Sequence, residues 1–373
     1  MRTRRLWTVW MKVGKMATYQ FPKQTIADVP IRGRTVLVRV DYNVPLENGR
    51  ITSDFRIRAE LPTLEYLLKQ GARKVFLIAH LGRPEGVARE LSLRPTAVDL
   101  AKLLDEPVDF VEYVPGVLGK PEDVAAATSR VAVLENLRFS EAEETDSEDF
   151  ARALVEATGA DLFVQDGFAN VHRKHASMDA ITKLLPAVAG YLVEKEVADV
   201  MKAIHDPVRP LLTIIGGAKV EDKAPMVEKM LEVADEICLG GKFAQDYTPP
   251  ESEKILMPVD ARKDAEGRSL DIGDRSAVAI VEAIDRAETI IWNGTVGMAE
   301  EAEFARSSEL IATALGQSGK TTIICGGDTT GFVLNYQEKY RDLKYTLIST
   351  GGGASLELIL GEPLPGLDCL LDK

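Results

Sequence analysis

Short runs of apolar, often β-branched residues recur along the chain, and each is followed by a loop and then by a stretch with helical periodicity. In the first half the runs are Thr35–Val40, Lys74–Ala79, Arg130–Leu134 and Asp161–Val164. In the second half they are Leu211–Ile215, Glu236–Leu239, Thr289–Trp292, Thr321–Cys325 and Tyr345–Ser349. The stretches that predict helices are Leu61–Lys69, Pro225–Val233 and Glu300–Leu315. Apolar strands that alternate with helices are typical of parallel sheets buried on both faces, so we expect an α/β fold.

The loops that follow these strands differ in chemistry between the two halves. In the first half they carry Asp41, Asn43, His80, Arg83, Arg138, His172 and Arg173. In the second half they carry Gly216-Gly217, Gly240-Gly241, Gly294, Gly326-Gly327 and Gly351-Gly352-Gly353. In open α/β sheets ligands bind at the carboxyl ends of strands. Arginine and histidine suit a multiply charged anion, and glycines ahead of helices let backbone N–H groups approach phosphates. We therefore predict one half-site for an anionic metabolite and one for a nucleotide, with a boundary near Pro186–Glu196.

Length and charge narrow the class of protein. The chain has 373 residues, enough for two domains, and its 45 Lys and Arg against 58 Asp and Glu give a net charge of -13. This balance argues against nucleic acid as the main partner. The three cysteines, Cys238, Cys325 and Cys369, are scattered, which favours a reducing compartment and no structural metal. No apolar run approaches membrane-spanning length, so we expect no membrane partner.

Three other patterns in the sequence do not support the functions that they would usually suggest. Residues 314–321 (ALGQSGKT) match a relaxed phosphate loop, but a predicted helix precedes them and a strand follows, the reverse of the required order. His172 and His175 could suggest a metal, yet Arg173 and Lys174 lie between them and no further ligand completes a set. A dinucleotide-dependent dehydrogenase would show Gly-x-Gly-x-x-Gly after an early strand, and we find none.

Six motifs, in order, resemble those of the phosphoglycerate kinase family. They are Arg39-Val40-Asp41-Tyr42-Asn43-Val44-Pro45, His80-Leu81-Gly82-Arg83-Pro84, Glu135-Asn136-Leu137-Arg138, Gly216-Gly217-Ala218-Lys219-Val220, Trp292-Asn293-Gly294 and Ser349-Thr350-Gly351-Gly352-Gly353-Ala354-Ser355. The similarity extends from about Lys23 to the end of the chain.

The resemblance implies a monomeric, cytoplasmic, hinge-bending enzyme of glycolysis. It would reversibly transfer a phosphoryl group from 1,3-bisphosphoglycerate to ADP, giving 3-phosphoglycerate and ATP, with Mg²⁺ on the nucleotide. The expected fold is two Rossmann-like three-layer lobes with parallel sheets, joined by a hinge. The amino-terminal lobe, residues 16–186 with 355–373, would bind 3-phosphoglycerate, and the carboxy-terminal lobe, residues 187–354, the nucleotide. Glu196 and Thr350 resemble hinge positions, and the last helix is expected to fold back onto the first lobe.

The resemblance also implies site residues, position by position. The expected phosphoglycerate contacts are Asp41, Asn43, Arg56, His80, Arg83, Arg138 and Arg173. The expected nucleotide contacts are Gly217, Lys219, Lys223, Asn293, Glu300, Gly326, Gly327, Asp328 and Thr329, with Glu300 on the ribose and Asp328 on the metal. Arg56, in the loop before the helix near Leu61, would act in catalysis with Lys219 and with backbone N–H groups near Gly327 and Gly352. The acceptor carboxylate is ionised at pH 7, so no general base is required.

Departures from the family pattern are uneven. The substrate side keeps its charged residues but has a variant run, residues 165–171 (QDGFANV), before His172, and the nucleotide side is altered further. Lys242 replaces a third glycine, Thr295 a proline and Cys325 a glycine, and the stretches Phe243–Ile255 and Ala261–Leu270 are shorter than their counterparts. The preference for the base is therefore open. A non-catalytic metabolite-binding homologue is the remaining alternative, although Arg56 and Lys219 are both retained.

The first fifteen residues differ in composition from the rest. They contain Arg2, Arg4, Arg5, Lys12 and Lys15 and no acid. A transit peptide is one interpretation. We prefer a poorly ordered, dispensable extension, because Met16 opens the segment that leads into the first strand.

Overall fold

The structure, a computed structural model, describes residues 19–373, so the expected extension, residues 1–15, lies outside the described residues. The chain divides into two compact units. The first comprises residues 21–195 and 363–373, and the second residues 196–362. No helix in residues 19–373 is long and apolar enough to cross a membrane.

A six-stranded parallel sheet forms the centre of the first unit. The six strands of this sheet are β1 (Thr35–Arg39), β4 (Lys74–Ile78), β5 (Val108–Val111), β6 (Val131–Leu134), β7 (Leu162–Gln165) and β8 (Ala187–Ala189), and a separate short hairpin consists of β2 (Leu46–Glu47) and β3 (Arg50–Ile51). The sheet order is β5-β6-β4-β1-β7-β8, and β2 pairs with β3. Every residue of β1 is buried, as expected for a central strand covered on both faces.

Helices cover this sheet. They are α1 (Phe55–Lys69), α2 (Arg94–Leu104), α3 (Pro121–Ala125), α4 (Glu141–Glu144), α5 (Glu148–Thr158) and α6 (Tyr191–His205). Leu64 and Leu67 of α1 are fully buried and belong to the same core as Val36 and Val38 of β1. The chain leaves the first unit within α6, between Lys195 and Glu196.

The second unit repeats this plan around another parallel sheet. The six strands of this sheet are β9 (Leu211–Ile215), β10 (Glu236–Leu239), β11 (Ile255–Leu256), β14 (Thr289–Asn293), β15 (Thr321–Cys325) and β16 (Leu347–Ile348), and a separate pair consists of β12 (Ala261–Lys263) and β13 (Ser269–Ile272). The sheet order is β11-β10-β9-β14-β15-β16, and β12 pairs with β13. The helices are α7 (Val220–Val233), α8 (Gly241–Asp246), α9 (Asp274–Arg286), α10 (Arg306–Gln317), α11 (Gly327–Lys339) and α12 (Gly353–Leu360).

The end of the chain returns to the first unit with a short helix, α13 (Pro365–Asp368). The buried Lys23 ammonium holds it, donating to the carbonyl oxygens of Leu370 (2.9 Å) and Asp368 (3.0 Å) and pairing with Asp372 (2.7 Å). The returning segment starts at Pro363, whereas α12, which precedes it, packs within the second unit.

The structure confirms the predicted α/β class with parallel sheets, but two predicted helix starts were wrong. The helix expected at Leu61 begins at Phe55, and the helix expected at Pro225 begins at Val220. Each contains an exposed proline, Pro62 or Pro225, several residues after its start. Proline suggests a helix start because it lacks an N–H, yet it is tolerated here where the carbonyl that loses its partner can face water. Arg56 therefore lies in the first turn of α1 rather than in a loop.

The third predicted helix began too early. The stretch expected to be helical from Glu300 forms turns, and α10 starts only at Arg306. Glu300 accordingly lies in an exposed loop. The order of α10, loop and β15 is as expected, so residues 314–321 do not form a phosphate loop. Lys320 instead donates to the carbonyl oxygens of Ile284 (2.9 Å) and Asp285 (2.7 Å), near the end of α9.

Candidate active site

Four neighbouring strands of the first sheet place polar residues at one edge. Because β6, β4, β1 and β7 are parallel, their carboxyl ends lie together. Asp41 follows β1, His80 follows β4, Arg138 follows β6 and Asp166 follows β7. The topology thus brings together residues that are far apart in the sequence.

Side-chain hydrogen bonds hold these loops against one another. The Asn136 side chain accepts from the Leu81 N–H (3.2 Å) and donates to the Leu81 carbonyl oxygen (2.8 Å). Asn43 Oδ1 accepts from the Gly82 N–H (2.9 Å), and Arg138 Nη1 donates to the Gly82 carbonyl oxygen (3.0 Å). The loops after β1, β4 and β6 are therefore fixed partly by the residues that were expected to bind substrate.

A buried arginine fixes the tautomer of His80 and, together with burial, keeps the ring neutral. Arg39 Nη2 lies 3.1 Å from His80 Nδ1, and because a guanidinium has only donors, Nδ1 accepts. Arg39 also faces Glu143 at 4.0 Å, and neither side chain is exposed. Burial, followed by the charges of Arg39, Arg138 and Arg173, lowers the pKa of His80 well below its usual range. His80 is therefore neutral at pH 7 and carries its proton on Nε2.

The other two histidines of this edge are neutral for the same reasons. Burial and then the neighbouring arginines lower the pKa of His175 to about 3. Burial and then Arg173 lower the pKa of His172 to about 4. The positive charge of the edge thus comes from arginine. We call Arg39, Arg138, Arg173 and the three histidines the cationic cluster.

Several donors of this edge are buried without a hydrogen-bond partner in residues 19–373. They include Nε and Nη2 of Arg138, and Nδ2 of Asn170. The Arg138 Nε lies 3.2 Å from Glu144 Oε1, close enough for an ion pair but without hydrogen-bond geometry, and Glu144 is half exposed. Burial lowers the pKa of Arg138 to about 10, so it stays charged at pH 7. Buried donors of this kind need an acceptor, and an anion would supply it.

Arg56 and Asp41 meet at the same edge. Arg56 pairs with the carboxylate of Asp41, whose side chain is buried, while Arg56 remains partly exposed. The Asp41 N–H donates to Glu60 Oε1 at 2.9 Å, one helical turn from Arg56. Arg173 is partly exposed, and its side chain forms no ion pair within the described part of the chain; Arg83 is exposed. Six of the seven predicted substrate residues therefore lie in segments that directly follow β1, β4, β6 and β7, and Arg56 joins them from the first turn of α1 through its ion pair with Asp41.

In the second unit, close backbone packing requires glycine after β9. The Gly216 N–H donates to the Asn293 carbonyl oxygen (3.0 Å), and the Gly217 N–H donates to the Thr295 carbonyl oxygen (2.8 Å). A Cβ on Gly216 would overlap the Thr295 carbonyl oxygen. The loops after β9 and β14 are thus in direct backbone contact.

Three helices of the second unit begin just after the carboxyl ends of its parallel strands β9, β15 and β16. α7 follows Lys219, α11 follows Gly326 and α12 follows Gly352, and none has a side-chain cap. The N–H groups of a first helical turn have no partner inside the helix, so such ends attract phosphate oxygens. Lys219, Gly327 and Asp328 are exposed at these starts.

Two further contacts organise the predicted nucleotide residues. Lys223 Nζ hydrogen-bonds to Asn293 Oδ1, and burial lowers the pKa of Lys223. The Thr329 hydroxyl accepts from the Gly294 N–H at 2.7 Å, which ties the start of α11 to the loop after β14. Glu300 lies outside these contacts, in its exposed loop.

Glu196, expected at a hinge, is fully buried at the beginning of the second unit. Its carboxylate accepts from the Ser349 hydroxyl (2.5 Å), the Thr350 N–H (2.6 Å) and the Thr350 hydroxyl (2.8 Å). The two residues that resembled hinge positions therefore bond to each other within one unit.

The sequence reading assigned no role to several buried polar residues of the first edge. Arg39 and Asn136 lie in the quoted motifs, and Asp166 directly follows a predicted strand, so a signal was available for each of them. Glu60 was harder to find, because it occurs inside a helix whose start was misplaced. With the correct start at Phe55, Glu60 falls on the buried face together with Ile57 and Leu64, where an acid is unusual.

Comparisons with known proteins agree with this geometry. A family model described as phosphoglycerate kinase matches residues 26–259 and 244–362. A phosphoglycerate kinase of Herpetosiphon aurantiacus is 39% identical over 398 residues, covering 94% of this chain and 100% of that one. One of Moorella thermoacetica is 40% identical over 402 residues, again with 94% and 100% covered.

Solved structures show the same relationship. The structure of phosphoglycerate kinase from Pyrococcus horikoshii OT3 matches with a TM-score of 0.81 and 30% identity, covering 93% of this chain and 98% of that one. That of Coxiella burnetii matches with a TM-score of 0.76 and 28% identity over the same shares. On these grounds this chain belongs to the phosphoglycerate kinase family, whose members are phosphotransferases with a carboxyl group as acceptor.

Proposed function

We propose that this chain catalyses the reversible transfer of a phosphoryl group from 1,3-bisphosphoglycerate to ADP, giving 3-phosphoglycerate and ATP. The observation that carries the proposal is the cationic cluster, which presents buried donors without acceptors in a chain whose net charge is -13. A pocket of this kind works against the field of the whole protein, so it needs a specific anion to compensate it.

In this proposal the first unit binds the phosphoglycerate. Arg138 and Arg173 neutralise its phosphate, and the neutral His80 donates from Nε2. Asp41 and Asn43, which accept, suit a hydroxyl group of the substrate. Arg83 adds a positive charge at the exposed end, and Arg56 faces the carboxyl group that exchanges the phosphoryl group.

The second unit binds the Mg²⁺-nucleotide. The glycine loop around Gly217 and the starts of α7 and α11, with Gly326, Gly327 and Thr329, offer N–H groups to its phosphates. Asp328 supplies a carboxylate oxygen, a ligand that Mg²⁺ prefers beside phosphate oxygens. Lys219, exposed and without an ion pair in residues 19–373, neutralises the transferring group, while Lys223 orients Asn293. Glu300 contacts the ribose from its loop.

Catalysis then consists of positioning and charge neutralisation. The carboxylate of 3-phosphoglycerate attacks the terminal phosphorus of ATP, the bond to the bridging oxygen breaks, and ADP leaves; the forward reaction reverses these steps. Negative charge spreads over the transferring group, so Arg56, Lys219 and backbone N–H groups of Gly327 and Gly352 bind the transition state more tightly than the ground state. Because each unit holds one substrate, the two must approach through a hinge motion near Glu196 and Thr350. We place the enzyme in the cytoplasm as a monomer.

A second candidate is a kinase with a relaxed choice of base. The two family matches overlap at residues 244–259, where the chain was expected to be shortened, and specificity for a base requires groups that the wrong base leaves unpaired.

A coupled assay of 3-phosphoglycerate phosphorylation with ATP and GTP tests both candidate functions. We expect turnover that depends on 3-phosphoglycerate, and a kcat/KM ratio for the two nucleotides below about a hundredfold. Nucleotide binding without turnover would instead identify a non-catalytic homologue.

A further inference from the structure

Two carboxylic acids meet in the interior of the first unit. Glu60 of α1 and Asp166, the first residue after β7, are both fully buried. Each has one oxygen that accepts from the backbone. Glu60 Oε1 accepts from the Asp41 N–H (2.9 Å), and Asp166 Oδ1 accepts from the N–H groups of Leu192 (2.9 Å) and Val193 (3.3 Å) at the start of α6.

The second oxygen of each acid has no donor from elsewhere. Glu60 Oε2 and Asp166 Oδ2 are buried, and neither receives a hydrogen bond from any N–H or hydroxyl group in residues 19–373 at the standard geometry. The Asp166 N–H donates to the Arg39 carbonyl oxygen (2.9 Å), two residues before the Asp41 N–H that Glu60 accepts, so both acids lie at the end of β1. There the two side chains are hydrogen-bonded to each other. Two neighbouring buried carboxyl groups cannot both ionise at neutral pH, so they share one proton. A single proton between Oε2 and Oδ2 satisfies both oxygens.

The surroundings determine which acid carries the proton. Burial, then the charge and hydrogen bond of Asp166, raise the pKa of Glu60 well above its usual range, with Arg39 and Arg56 opposing. Burial also raises the pKa of Asp166, but the N–H groups of Leu192 and Val193, which donate to Oδ1, oppose this rise. The Asp166 carboxylate is thus stabilised by donors.

The remaining neighbours do not supply a competing charge. Tyr42 is fully buried and its hydroxyl stays protonated, because burial and then the charges of Glu60 and Asp166 raise its pKa. Asp41 is compensated by Arg56. Glu60 is therefore the member of the pair that remains neutral.

We propose that Glu60 is held as a neutral acid that donates to Asp166, and that this pair is a positioning device for Asp41 and Arg56 in phosphoryl transfer. The inference rests on the function proposed above. Glu60 fixes the backbone of Asp41 through Oε1, and Arg56 lies one turn away on the same helix. Asp166 anchors the other end of the device at the start of α6, where a Cβ on Gly190 would overlap its carboxylate.

The role of Glu60 differs from that of a buried acid that only fills space. If the pair loses its proton at high pH, two negative charges remain together and must separate, so the hydrogen bond to Asp41 is disturbed. Activity should then fall as the pH rises through the pKa of Glu60. Glu60→Gln keeps an acceptor for Asp41 and an N–H donor for Asp166 but cannot ionise, whereas Glu60→Ala keeps neither.

The first test is infrared spectroscopy of the ligand-free full chain at pH 7. The difference spectrum between the parent and Glu60→Gln should show the carbonyl stretch of one protonated carboxylic acid in the parent, with the isotope shift expected in D₂O. Absence of that band would overturn the proposal. Because this measurement requires no turnover, its outcome is independent of whether the proposed function holds.

The second test compares the pH dependence of kcat for 3-phosphoglycerate phosphorylation. We expect the parent to lose activity at alkaline pH and Glu60→Gln to lose this limb, while Glu60→Ala lowers kcat at pH 7 by about tenfold relative to Glu60→Gln. A parent and Glu60→Gln with the same alkaline limb would contradict the proposal. If Glu60→Ala fails to fold, the comparison of the parent with Glu60→Gln alone decides.

Discussion

Arg39, His80 and Arg138 illustrate how single residues obtain their chemistry from burial. Arg39 is fully buried beside Glu143, and its hydrogen bond sets the tautomer of His80. Arg138 retains donors that nothing in residues 19–373 accepts. The residue types and their places at or after the ends of strands could be predicted from the sequence. Their protonation states were not, because these depend on neighbours supplied by other strands.

Lys219 and Lys320 form a matched pair for testing the nucleotide side. Lys219 is exposed ahead of α7, whereas Lys320 bonds to carbonyl oxygens near the end of α9. Lys219→Ala should lower kcat by at least about a hundredfold, because it removes a charge that binds the transition state. Lys320→Ala should stay within about threefold of the parent kcat, with a lower thermal midpoint. Steady-state kinetics measure kcat, and thermal unfolding measures the midpoint, for both variants. Equal losses of kcat in the two variants would contradict the catalytic role of Lys219.

At the scale of elements, the alternation of strands and helices was predictable, but the starts of helices were not. Leu61 and Pro225 were reasonable sequence boundaries because proline favours the first helical turn. Tertiary packing added turns before each proline, and in α1 these turns contain both Arg56 and Glu60. The misplaced boundary therefore hid a buried acid next to an expected catalytic residue.

Two glycines of the second unit should respond to alanine in opposite ways. In Gly216→Ala the new Cβ would overlap the Thr295 carbonyl oxygen, which cannot move without shifting the loop after β14. We expect the free energy of unfolding to fall by about 2 kcal/mol or more. Gly331 is exposed inside α11 with open space around it. Gly331→Ala should therefore raise the free energy of unfolding by about 0.5–1 kcal/mol. Thermal unfolding of both variants provides the measurement; a stable Gly216→Ala would show that the backbone contact is loose.

At the scale of the whole molecule, the sequence indicated two units with a boundary near Pro186–Glu196, and the chain crosses between them inside that range. The chain passes into the second unit inside α6, and the segment that returns to the first begins at Pro363. The expected limits, 186 and 355, were set by a change in motif chemistry and by family resemblance. The observed limits depend on which side chains pack against each sheet. Because α6 continues from one unit into the other, the sequence pattern along this helix does not mark the residue at which the first unit ends.

If each unit binds one substrate, both substrates together should be required for closure. A ligand can shift a conformational equilibrium only by its differential affinity for the two states. We therefore expect small-angle X-ray scattering to show a clear decrease in radius of gyration with 3-phosphoglycerate and a Mg²⁺-nucleotide together, and a smaller one with either alone. Equal compaction with the nucleotide alone would show that closure does not need the first site.

The most direct test of the proposed active site compares Arg56→Ala with Arg58→Ala in the coupled assay. Both arginines lie in the first turns of α1, but Arg56 pairs with the buried Asp41, whereas Arg58 is exposed and pairs with Asp54 at 2.8 Å. We predict that Arg56→Ala lowers kcat for 3-phosphoglycerate phosphorylation by at least about a hundredfold with folding intact, and that Arg58→Ala stays within about threefold. An Arg56→Ala enzyme that keeps more than about a tenth of the parent kcat would contradict the proposed active site.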